Sequence, residues 1–600
     1  MALWGKEGGI IINLIEKRRL QMRKTNLRNW EYNSDLENLL FTAQRLDEVL
    51  FFYTQDTYKA NVLNTRMLID EFLEVRDSIE AGLLNEKNDE AVVEEIIWSL
   101  ERDKEATQII GERVVENLKK NIGSIGIKER VKYFRLLQSQ LSGKKYFNAI
   151  KNALKNAVRI EKKREIERLI LQFVCEAKNQ GYNTRYIYRC VNEIFFVDEV
   201  NSYETIDIFL NRFNGTSQKY IVYIEVNEEI GNICVNLTNA LRKVNVELME
   251  EQDIPEGIRV SGKKKVLKFQ YIEALDNYAA LESAQGIIKI MGHFYAFYRH
   301  NIEMSVKGGY TSLKGDKIIY VRPEVIGIKK SAKSSSLEKS TSSTKDLFNI
   351  ARSNPMNFYI LSRIMEIHNI AFGMDAPANS LLDLWSILEL LLEKDKETGG
   401  KSRIFQIIDM LEPFIKEAYI EHIIVNIKND IQKWDSVMYR QILNSIDIEC
   451  DDNEKIFAFI SLVDYDDLRK EVYCRLDKFP LLRYRIFNLH ETFKSGKSIY
   501  KFLKEHEKKT AWHIQRIYRA RNCIIHDGED VQNIENLVEN LHSYIAVLCS
   551  GIVQLLNNNN QNQTVMDAIY EMYIKEKLFE EWVENTDPTR DNVCDFMVLD

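Results

Sequence analysis

A chain of 600 residues is too long to fold around one hydrophobic core, and the usual domain size of about 100 to 200 residues predicts three or four domains. Apolar residues make up 45% of the chain and charged residues 29%, which excludes a disordered or fibrous protein. The formal net charge of -8 argues against indiscriminate nucleic-acid binding over the whole surface, so any contact with RNA must be local.

The spacing of apolar residues predicts a mainly α fold. Only 7 prolines and 25 glycines interrupt the chain, and apolar residues recur three and four positions apart with lysine and glutamate between them. Residues 1–200 follow this pattern, with short breaks at 123–126 and 179–182. They are predicted to form an N-terminal helical domain.

A smaller α+β middle domain is predicted for residues 201–328, where short segments are rich in β-branched or aromatic residues. The predicted strands are 205–210, 220–226, 233–237, 266–272 and 318–321. One long helix, 274–300, interrupts them. Residues 329–345 hold seven serines and two threonines among lysines, a composition that predicts a linker or mobile loop.

Helical patterning resumes after the linker and predicts a helical bundle over residues 346–556. Its four core helices are predicted at 348–372, 378–392, 510–526 and 531–556. The stretch of about 400–505, between the second and third of these helices, is interpreted as a long insertion. Residues 557–600 are predicted to be a polar and acidic tail with one helix, about 565–583.

The cysteines and the N-terminus predict a cytoplasmic protein. No CxxC pair and no metal-ligand spacing occurs, so we expect reduced, buried thiols and no metal site. The eight cysteines are at positions 175, 190, 234, 450, 474, 523, 549 and 594. The apolar run 10–15 precedes its basic residues, the reverse of a signal peptide, and no segment has about 18 uninterrupted apolar residues for a membrane span.

The strongest candidate for chemistry is segment 516–528, with the sequence RIYRARNCIIHDG. It places Arg521 and Asn522 ahead of His526, and the Asp-Gly pair that follows predicts a helix end. Arg521 and His526 are about 140° apart around an ideal helix, so they pair on one face only if the last turn loosens or a second copy contributes. This geometry favours a site built across an interface.

Cleavage of RNA without a metal needs a base for the ribose 2′-OH, an acid for the leaving 5′ oxygen and cations for the crowded phosphorane. An imidazole such as that of His526 can serve as acid or base near neutral pH. Arg521 suits the non-bridging phosphate oxygens, and Asn522 would orient the phosphate or the histidine. A two-fold dimer supplies two histidines and two arginines.

At these residues the sequence resembles the HEPN ribonucleases, whose signature is Arg-polar-x-x-x-His at the end of an amphipathic helix. The string 517–528, together with 358–374 and 381–391, is similar to the Apea-like HEPN domains of bacterial anti-phage, abortive-infection defence proteins. The match covers about 210 residues. Compared with a minimal HEPN domain, the chain differs by the stretch 400–505.

The resemblance implies a helical bundle that pairs with another HEPN domain and cleaves RNA without metal or other cofactor. The family's catalytic arginine, polar residue and histidine correspond to Arg521, Asn522 and His526, and its acidic residue on the second helix corresponds to Glu389. The expected products are 2′,3′-cyclic phosphate and 5′-OH ends. The expected partners are tRNA or mRNA, a second copy or a higher oligomer, and a phage-derived trigger, with no membrane.

Other interpretations of these residues stay open. Arg521 and His526 also fit an ordinary helix end, where a histidine meets the negative end of the helix dipole. Glu389 also fits a partly exposed or helix-paired carboxylate. Arg516 and Arg519, close to the proposed centre, are candidates for RNA phosphate contacts.

Two alternatives concern the function as a whole. In the first alternative, the chain is a non-catalytic HEPN adaptor or sensor that dimerises and binds a nucleotide or protein partner. A phosphate loop at 398–402 is disfavoured, because Asp395 stands where its first glycine belongs. If the chain is a nuclease, its N-terminal and middle domains would sense the trigger or restrain the enzyme.

Overall fold

The structure is a computed structural model that describes residues 27–30, 34–50, 63–84, 86–160, 162–258, 260, 264–298, 309–313, 318–321, 337–374, 376–392, 403–527, 531, 533–558 and 563–597. Within these ranges the chain is mainly helical with one small antiparallel sheet, which confirms the predicted mainly α class with a smaller α+β part. None of the helices described is long and apolar enough to cross a membrane.

The first part of the chain is helical, as its apolar spacing predicts. Its helices are α1 (Glu37–Val49), α2 (Thr65–Glu80), α3 (Glu90–Leu100), α4 (Lys104–Ile110), α5 (Glu112–Asn121), α6 (Ile127–Gln140), α7 (Gly143–Arg159), α8 (Lys163–Asn179) and α9 (Thr184–Asn192). Several begin at residues that cap free backbone N–H groups. The side chain of Asn64 accepts a hydrogen bond from the Met67 N–H, and that of Asp103 accepts one from the Ala106 N–H.

The middle part combines short helices with the sheet. After a π-helical turn at Glu193–Val197, its helices are α10 (Glu204–Asn211), α11 (Glu228–Asn236), α12 (Thr238–Lys243) and α13 (Asn277–Tyr298). Its strands are β1 (Gln218–Val226), β2 (Val246–Met249), β3 (Lys265–Ala274), β4 (Gly309–Leu313) and β5 (Ile319–Val321). They pair antiparallel in the order β2-β3-β1-β4-β5. The strands predicted at 220–226, 266–272 and 318–321 are therefore confirmed.

Two predicted strands are wrong. Residues 205–210 lie in α10, where the buried Ile206, Phe209 and Leu210 follow helical rather than alternating spacing. Residues 233–237 fall largely in α11, which begins where the Asn227 side chain accepts a hydrogen bond from the Ile230 N–H. Short apolar runs fit both periodicities, and only the second of these two helices has a side-chain cap at its start.

Helix α13 packs on the sheet through a face of small and branched side chains. Ala280, Leu281, Ala284 and Ile288 share one core with β1, β3 and β5. The close approach at β4 requires a residue without a side chain, because a Cβ on Gly309 would lie 2.4 Å from Leu281 Cδ1. This layer of helix on sheet is the α+β part of the chain.

The remaining helices belong to the C-terminal part. They are α14 (Leu337–Ser353), α15 (Pro355–Gly373), α16 (Pro377–Leu391), α17 (Arg403–Trp434), α18 (Ser436–Ser445), α19 (Asp452–Ser461), α20 (Asp466–Arg475), α21 (Pro480–Phe493), α22 (Gly496–Asp527), α23 (Ile534–Asn558) and α24 (Val565–Asn585), followed by a 3-10 turn at Val593–Met597. The predicted linker 329–345 is helical from Leu337 onward, which corrects that prediction, and residues 329–336 lie outside the described ranges.

One hydrophobic core joins α14–α17 with α22–α24. The first half of α17 contributes Ile407, Leu411 and Phe414, although the sequence interpretation assigned it to an insertion. Helix α24 contributes Ala568 and Met572, although it was predicted as part of a tail. Both segments therefore belong to the bundle, since their apolar faces are buried in it.

The described residues group into two compact units. One takes its residues from Met1–Ser142, Asn152–Gln172 and Ile326–Asp600, and the other from Gly143–Lys151 and Phe173–Val325. The helices before residue 142 thus share a unit with the C-terminal helices. This grouping differs from the predicted division at residue 200, because side chains of the early helices find their partners on the late ones.

A buried ion cluster holds α17, α22 and α24 together. The ammonium of Lys416, whose side chain is almost fully buried, lies 2.5 Å from Glu507 Oε2 and also contacts Glu576 and Glu580. Burial by itself lowers the pKa of Lys416, but the surrounding carboxylates raise it above its ordinary value. The lysine is therefore charged, and it neutralises carboxylates that have left water.

We expect Lys416→Ala to destabilise this unit by about 3 to 5 kcal/mol, because it removes the buried cation of the cluster and leaves its carboxylates only the more exposed Lys504 and Lys577. Urea unfolding followed by circular dichroism measures the loss. The matched control is Lys470→Ala, which removes a fully exposed partner of Asp467 and should change little. Equal stability of the two variants would show that the cluster contributes nothing.

Candidate functional site

The predicted catalytic residues lie in the last two turns of α22. This helix is kept in place by Ile514, Ile517 and Ala520, which are buried in the bundle core. Arg521 and Asn522 follow directly after this buried face. The helix is described as far as Asp527, one residue after His526, and the predicted end at Gly528 lies outside the described residues.

Arg521, Asn522 and Glu389 form one contact cluster, called here the Arg521 cluster. Arg521 Nη1 donates to Asn522 Oδ1 at 2.9 Å, and Arg521 Nη2 donates to Glu389 Oε1 at 3.4 Å. Asn522 is buried, while the side chains of Arg521 and Glu389 are 24% and 26% exposed. The charge pair thus reaches the surface and keeps some of its N–H donors for a ligand.

Helix α16 positions Glu389 through Trp385, one turn earlier. Trp385 is buried in the core against Tyr518 of α22, with ring centroids 5.7 Å apart. Its indole Nε1 donates to Glu389 Oε1 at 3.2 Å, the same oxygen that faces Arg521. Glu389 is therefore both paired within its helix and bound to Arg521, which joins two interpretations that the sequence left open.

His526 stands apart from this cluster. Its side chain is exposed in the last turn of α22, and among the described residues its imidazole has no hydrogen-bond or ion-pair partner. Within one chain the structure brings Arg521, Asn522 and Glu389 into contact and leaves His526 open to solvent. An exposed imidazole can accept or donate a proton to a group bound from outside.

Arg516 and Arg519, the predicted RNA contacts, are bound inside the protein. Arg516 donates from Nε and Nη2 to both carboxylate oxygens of Glu71, at 3.0 to 3.1 Å, and its Nη2 lies 2.5 Å from Glu95 Oε2. Arg519 Nη2 lies 2.5 Å from Glu71 Oε1 and its side chain is 5% exposed. In this arrangement neither guanidinium is available to a phosphate.

The ionisation of these groups follows from their burial and pairing. Burial alone raises the pKa of Glu71, but Arg516 and Arg519 lower it to about 2. Burial and the neighbouring negative charge of Glu71 raise the pKa of Glu95 despite Arg516. Glu71 is thus the principal anion of the contact. We call these four residues the Glu71–arginine lock.

Further contacts extend the interface of α2 and α3 with α22. Trp512 Nε1 donates to Glu94 Oε2 at 3.0 Å, and the Lys508 ammonium lies 2.7 Å from Glu94 Oε1. The rings of Trp98 and Trp512 meet edge to face with centroids 5.7 Å apart. Ser78 Oγ lies 3.9 Å from Cys523 Sγ, next to Asn522.

Sequence reasoning missed Glu71 and Glu95, and only one of them leaves a signal. Glu95 stands among the buried Val92, Val93 and Ile96 on the apolar face of its helix, where a carboxylate needs a cation. Glu71 lies in a helix of ordinary mixed pattern. Neither position indicates which cation it meets.

A second histidine of α22, His513, is buried in the interior of the bundle. Its Nδ1 lies 3.1 Å from Tyr544 Oη, and its Nε2 accepts from Asn540 Nδ2 at 3.3 Å. Burial, with the nearby charge of Arg516, lowers the pKa of His513 to about 3. It is neutral at physiological pH, so it is a packing residue rather than a proton donor.

We expect Glu71→Gln to weaken the attachment of α2 to α22 by about 3 to 5 kcal/mol, because two buried arginines lose their shared anion. Hydrogen exchange of α22 amides, measured by mass spectrometry, reports this opening. Asp77→Asn, an exposed change on the same helix, is the control and should leave exchange unaltered.

The pH dependence supplies a check on the same residue. The pKa of Glu71 is lowered in the folded state, so its stabilisation is present above about pH 4.5 and is lost as the pH falls toward 2. Glu71→Gln should remove this part of the acid sensitivity. An unchanged acid profile in the variant would contradict the role of Glu71 as the principal anion.

Comparisons with known proteins add no relative from which a role could be transferred. A scan against models of protein families, a search of curated proteins and a search of solved structures found no match. We therefore infer the function from the side chains of the Arg521 cluster, from His526 and from the sequence signature that contains them.

Proposed function

We propose that the chain is a metal-independent endoribonuclease of the HEPN type, with Arg521, Asn522, His526 and Glu389 at its active centre. The observation that carries the proposal is the contact of Arg521 with both Asn522 and Glu389, at a helix end where His526 is exposed. Glu389 lies far from the Arg-Asn-His signature in the chain, so its place beside Arg521 supports the proposal independently of the motif.

The proposed reaction is an internal transfer at phosphorus. The ribose 2′ oxygen attacks the adjacent phosphorus, the 2′-O–P bond forms and the P–O5′ bond breaks. A base takes the 2′-OH proton and an acid protonates the departing 5′ oxygen, which leaves 2′,3′-cyclic phosphate and 5′-OH ends. His526 takes one of these two roles in each chain.

Arg521 would bind the non-bridging oxygens, on which negative charge increases as the phosphorane forms. Glu389 holds the guanidinium from one side, and Asn522 holds it from the other. Such fixed orientation lowers the cost of arranging charge during the reaction. Glu389 and Asn522 are therefore positioning residues in this mechanism, and Arg521 contacts the substrate.

A second copy of the chain would complete the site by supplying the second histidine. Exposed apolar side chains border the proposed centre and suit such a contact: Leu390, next to Glu389, is 43% exposed, and Ile525, next to His526, is 46% exposed. A two-fold axis near the end of α22 would bring two His526 side chains to one phosphate.

The proposed setting is bacterial anti-phage defence in the cytoplasm, with tRNA or mRNA as substrate and a phage-derived trigger. The resemblance to Apea-like HEPN domains supports this setting. A defence nuclease must be silent in the uninfected cell, and the Glu71–arginine lock supplies a candidate restraint. While α2 and α3 occupy Arg516 and Arg519, these cations next to the centre are withheld from RNA.

The hydrogen-bond donors of Arg519 indicate why opening the Glu71–arginine lock would favour RNA binding. Its Nε and Nη1 are buried and, in the part of the chain that the structure describes, have no hydrogen-bond partner. Buried donors without partners are costly, and phosphate oxygens would satisfy them. If α2 and α3 move away from α22, Arg519 would therefore lose Glu71 and bind an RNA phosphate instead.

The central prediction concerns the ends of the RNA fragments. Purified protein incubated with total RNA and tRNA should cut it in the presence of a chelator and leave 2′,3′-cyclic phosphate and 5′-OH ends. His526→Ala should slow cutting about 100- to 10,000-fold, because proton transfer is lost. Arg521→Lys should also be slow, because it keeps the charge and loses the planar fork.

The control is His293→Ala, which removes an exposed histidine of the other compact unit and should cut at the wild-type rate. Equal cutting by wild type and His526→Ala, or cutting that the chelator abolishes in both, would overturn the mechanism. If wild type cuts no RNA even after the lock is opened, the non-catalytic adaptor takes its place.

The restraint is tested with a reversible cross-link. Because Ser78 Oγ lies 3.9 Å from Cys523 Sγ, a Ser78→Cys variant can be oxidised to tie α2 to α22. Reduction should then raise RNA cutting by about 5- to 150-fold, the usual range of coupling between two sites. Wild type treated with the same oxidant and reductant is the control. Equal cutting by the oxidised and reduced variant would disprove the restraint without affecting the nuclease proposal.

A further inference from the structure

Two cysteines far apart in the chain meet at a carboxylate. Cys450 lies just before α19, Glu454 lies in the first turn of α19, and Cys594 lies in the 3-10 turn Val593–Met597. Their two sulfurs and one carboxylate oxygen all lie within 4.8 Å of one another. The sequence predicted buried thiols, but both cysteines of this pair are partly exposed and lie beside a carboxylate.

The carboxylate of this group, called here the Cys450 cluster, is held in a fixed position. Asp451 and Glu454 form a capping box at the start of α19, in which Glu454 Oε2 accepts the Asp451 N–H at 2.7 Å. The Asp451 side chain in return accepts the N–H groups of Asn453 and Glu454. Such outer hydrogen bonds orient a metal-binding carboxylate and keep its second oxygen toward the ligand.

The C-terminal turn is positioned just as firmly. Phe596 is buried, with its ring 4.6 Å from the ring of Trp582 and 6.1 Å from that of Phe457. Val593, next to Cys594, is fully buried. Packing on both sides of Cys594 therefore fixes where its sulfur lies, before any ion binds.

The chemistry within the cluster favours a bound cation. The cluster brings two thiols and a carboxylate together, and metal ions bind cysteine in its thiolate form. Three groups that ionise to anions thus share one partly buried place, and a divalent cation would neutralise them.

We propose that the Cys450 cluster binds a divalent metal ion of the zinc class through Cys450 Sγ, Cys594 Sγ and one oxygen of Glu454. Two sulfur ligands select a borderline-soft ion such as Zn²⁺ over Mg²⁺ or Ca²⁺, which prefer oxygen alone. A water molecule fills the fourth tetrahedral position. Each thiol proton still present is released to solvent when the ion binds.

The site would be structural and would join the C-terminal turn to α19. Its ligands come from two segments that otherwise meet through aromatic packing, so the ion would close a long loop of chain. Binding should therefore protect the amides of residues 593–597 from hydrogen exchange. The proposal does not depend on the nuclease, since none of its ligands belongs to the Arg521 cluster.

The test uses the full-length chain, reduced and freed of metal, titrated with Co²⁺ and then with Zn²⁺. We expect one Co²⁺ per chain with a sulfur-to-cobalt charge-transfer band, displaced by Zn²⁺. Cys594→Ser should abolish the band, and Glu454→Gln should weaken binding at least about 10-fold. Cys474→Ser is the control, because Cys474 is an exposed thiol outside the cluster and its loss should change nothing.

Alkylation of the wild type gives a second measurement that needs no variant. Zn²⁺ should protect Cys450 and Cys594 from the reagent and leave Cys474 reactive. The proposal is overturned if no charge-transfer band forms, if Cys594→Ser binds Co²⁺ like wild type, or if Zn²⁺ protects none of the thiols. Isolation of the pair as a disulfide that takes up no metal after reduction would also overturn it.

Discussion

Helix α22 has charged side chains in the interior of its unit, and each of them needs an opposite charge beside it. This requirement determines how the other helices pack on α22. A buried ion without a partner costs several kcal/mol, so each pairing determines which segment packs on the helix. Glu507 meets Lys416 of α17, Arg516 meets Glu71 of α2, and Arg521 meets Glu389 of α16. The aliphatic face of α22 provides hydrophobic packing in the bundle core, and its charges determine which segments pack against it.

The exposure of these charged side chains increases along α22 toward its C-terminal end. Lys416 is buried with Glu576 and Glu580, the Glu71–arginine lock is slightly exposed, and the Arg521–Glu389 pair is about a quarter exposed. His526, beyond it, is exposed. The helix thus runs from a structural core to an accessible cation and imidazole, which is the order that a nuclease centre on a rigid support requires.

The proposed nuclease centre and its proposed restraint therefore lie on one helix. The lock binds α22 within two turns of Arg521, so any motion of α2 and α3 changes the charge available to a substrate near the proposed centre. The proposed metal of the Cys450 cluster would serve a different purpose, since it would fasten the C-terminal turn beyond α24. The bundle depends on α24 for part of its core, and a fastened end would keep that helix in place.

The sequence by itself determined the helical class and the three strands at 220–226, 266–272 and 318–321, because periodicity acts between near neighbours. It also marked Arg521, Asn522, His526 and Glu389 as candidates. Only the tertiary structure decided that Arg516 and Arg519 bind Glu71, that Cys450 meets Cys594, that α17 and α24 belong to the bundle and that residues 204–211 are helical. Pairings between distant segments depend on which surfaces are buried together, and that choice leaves no local pattern in the chain.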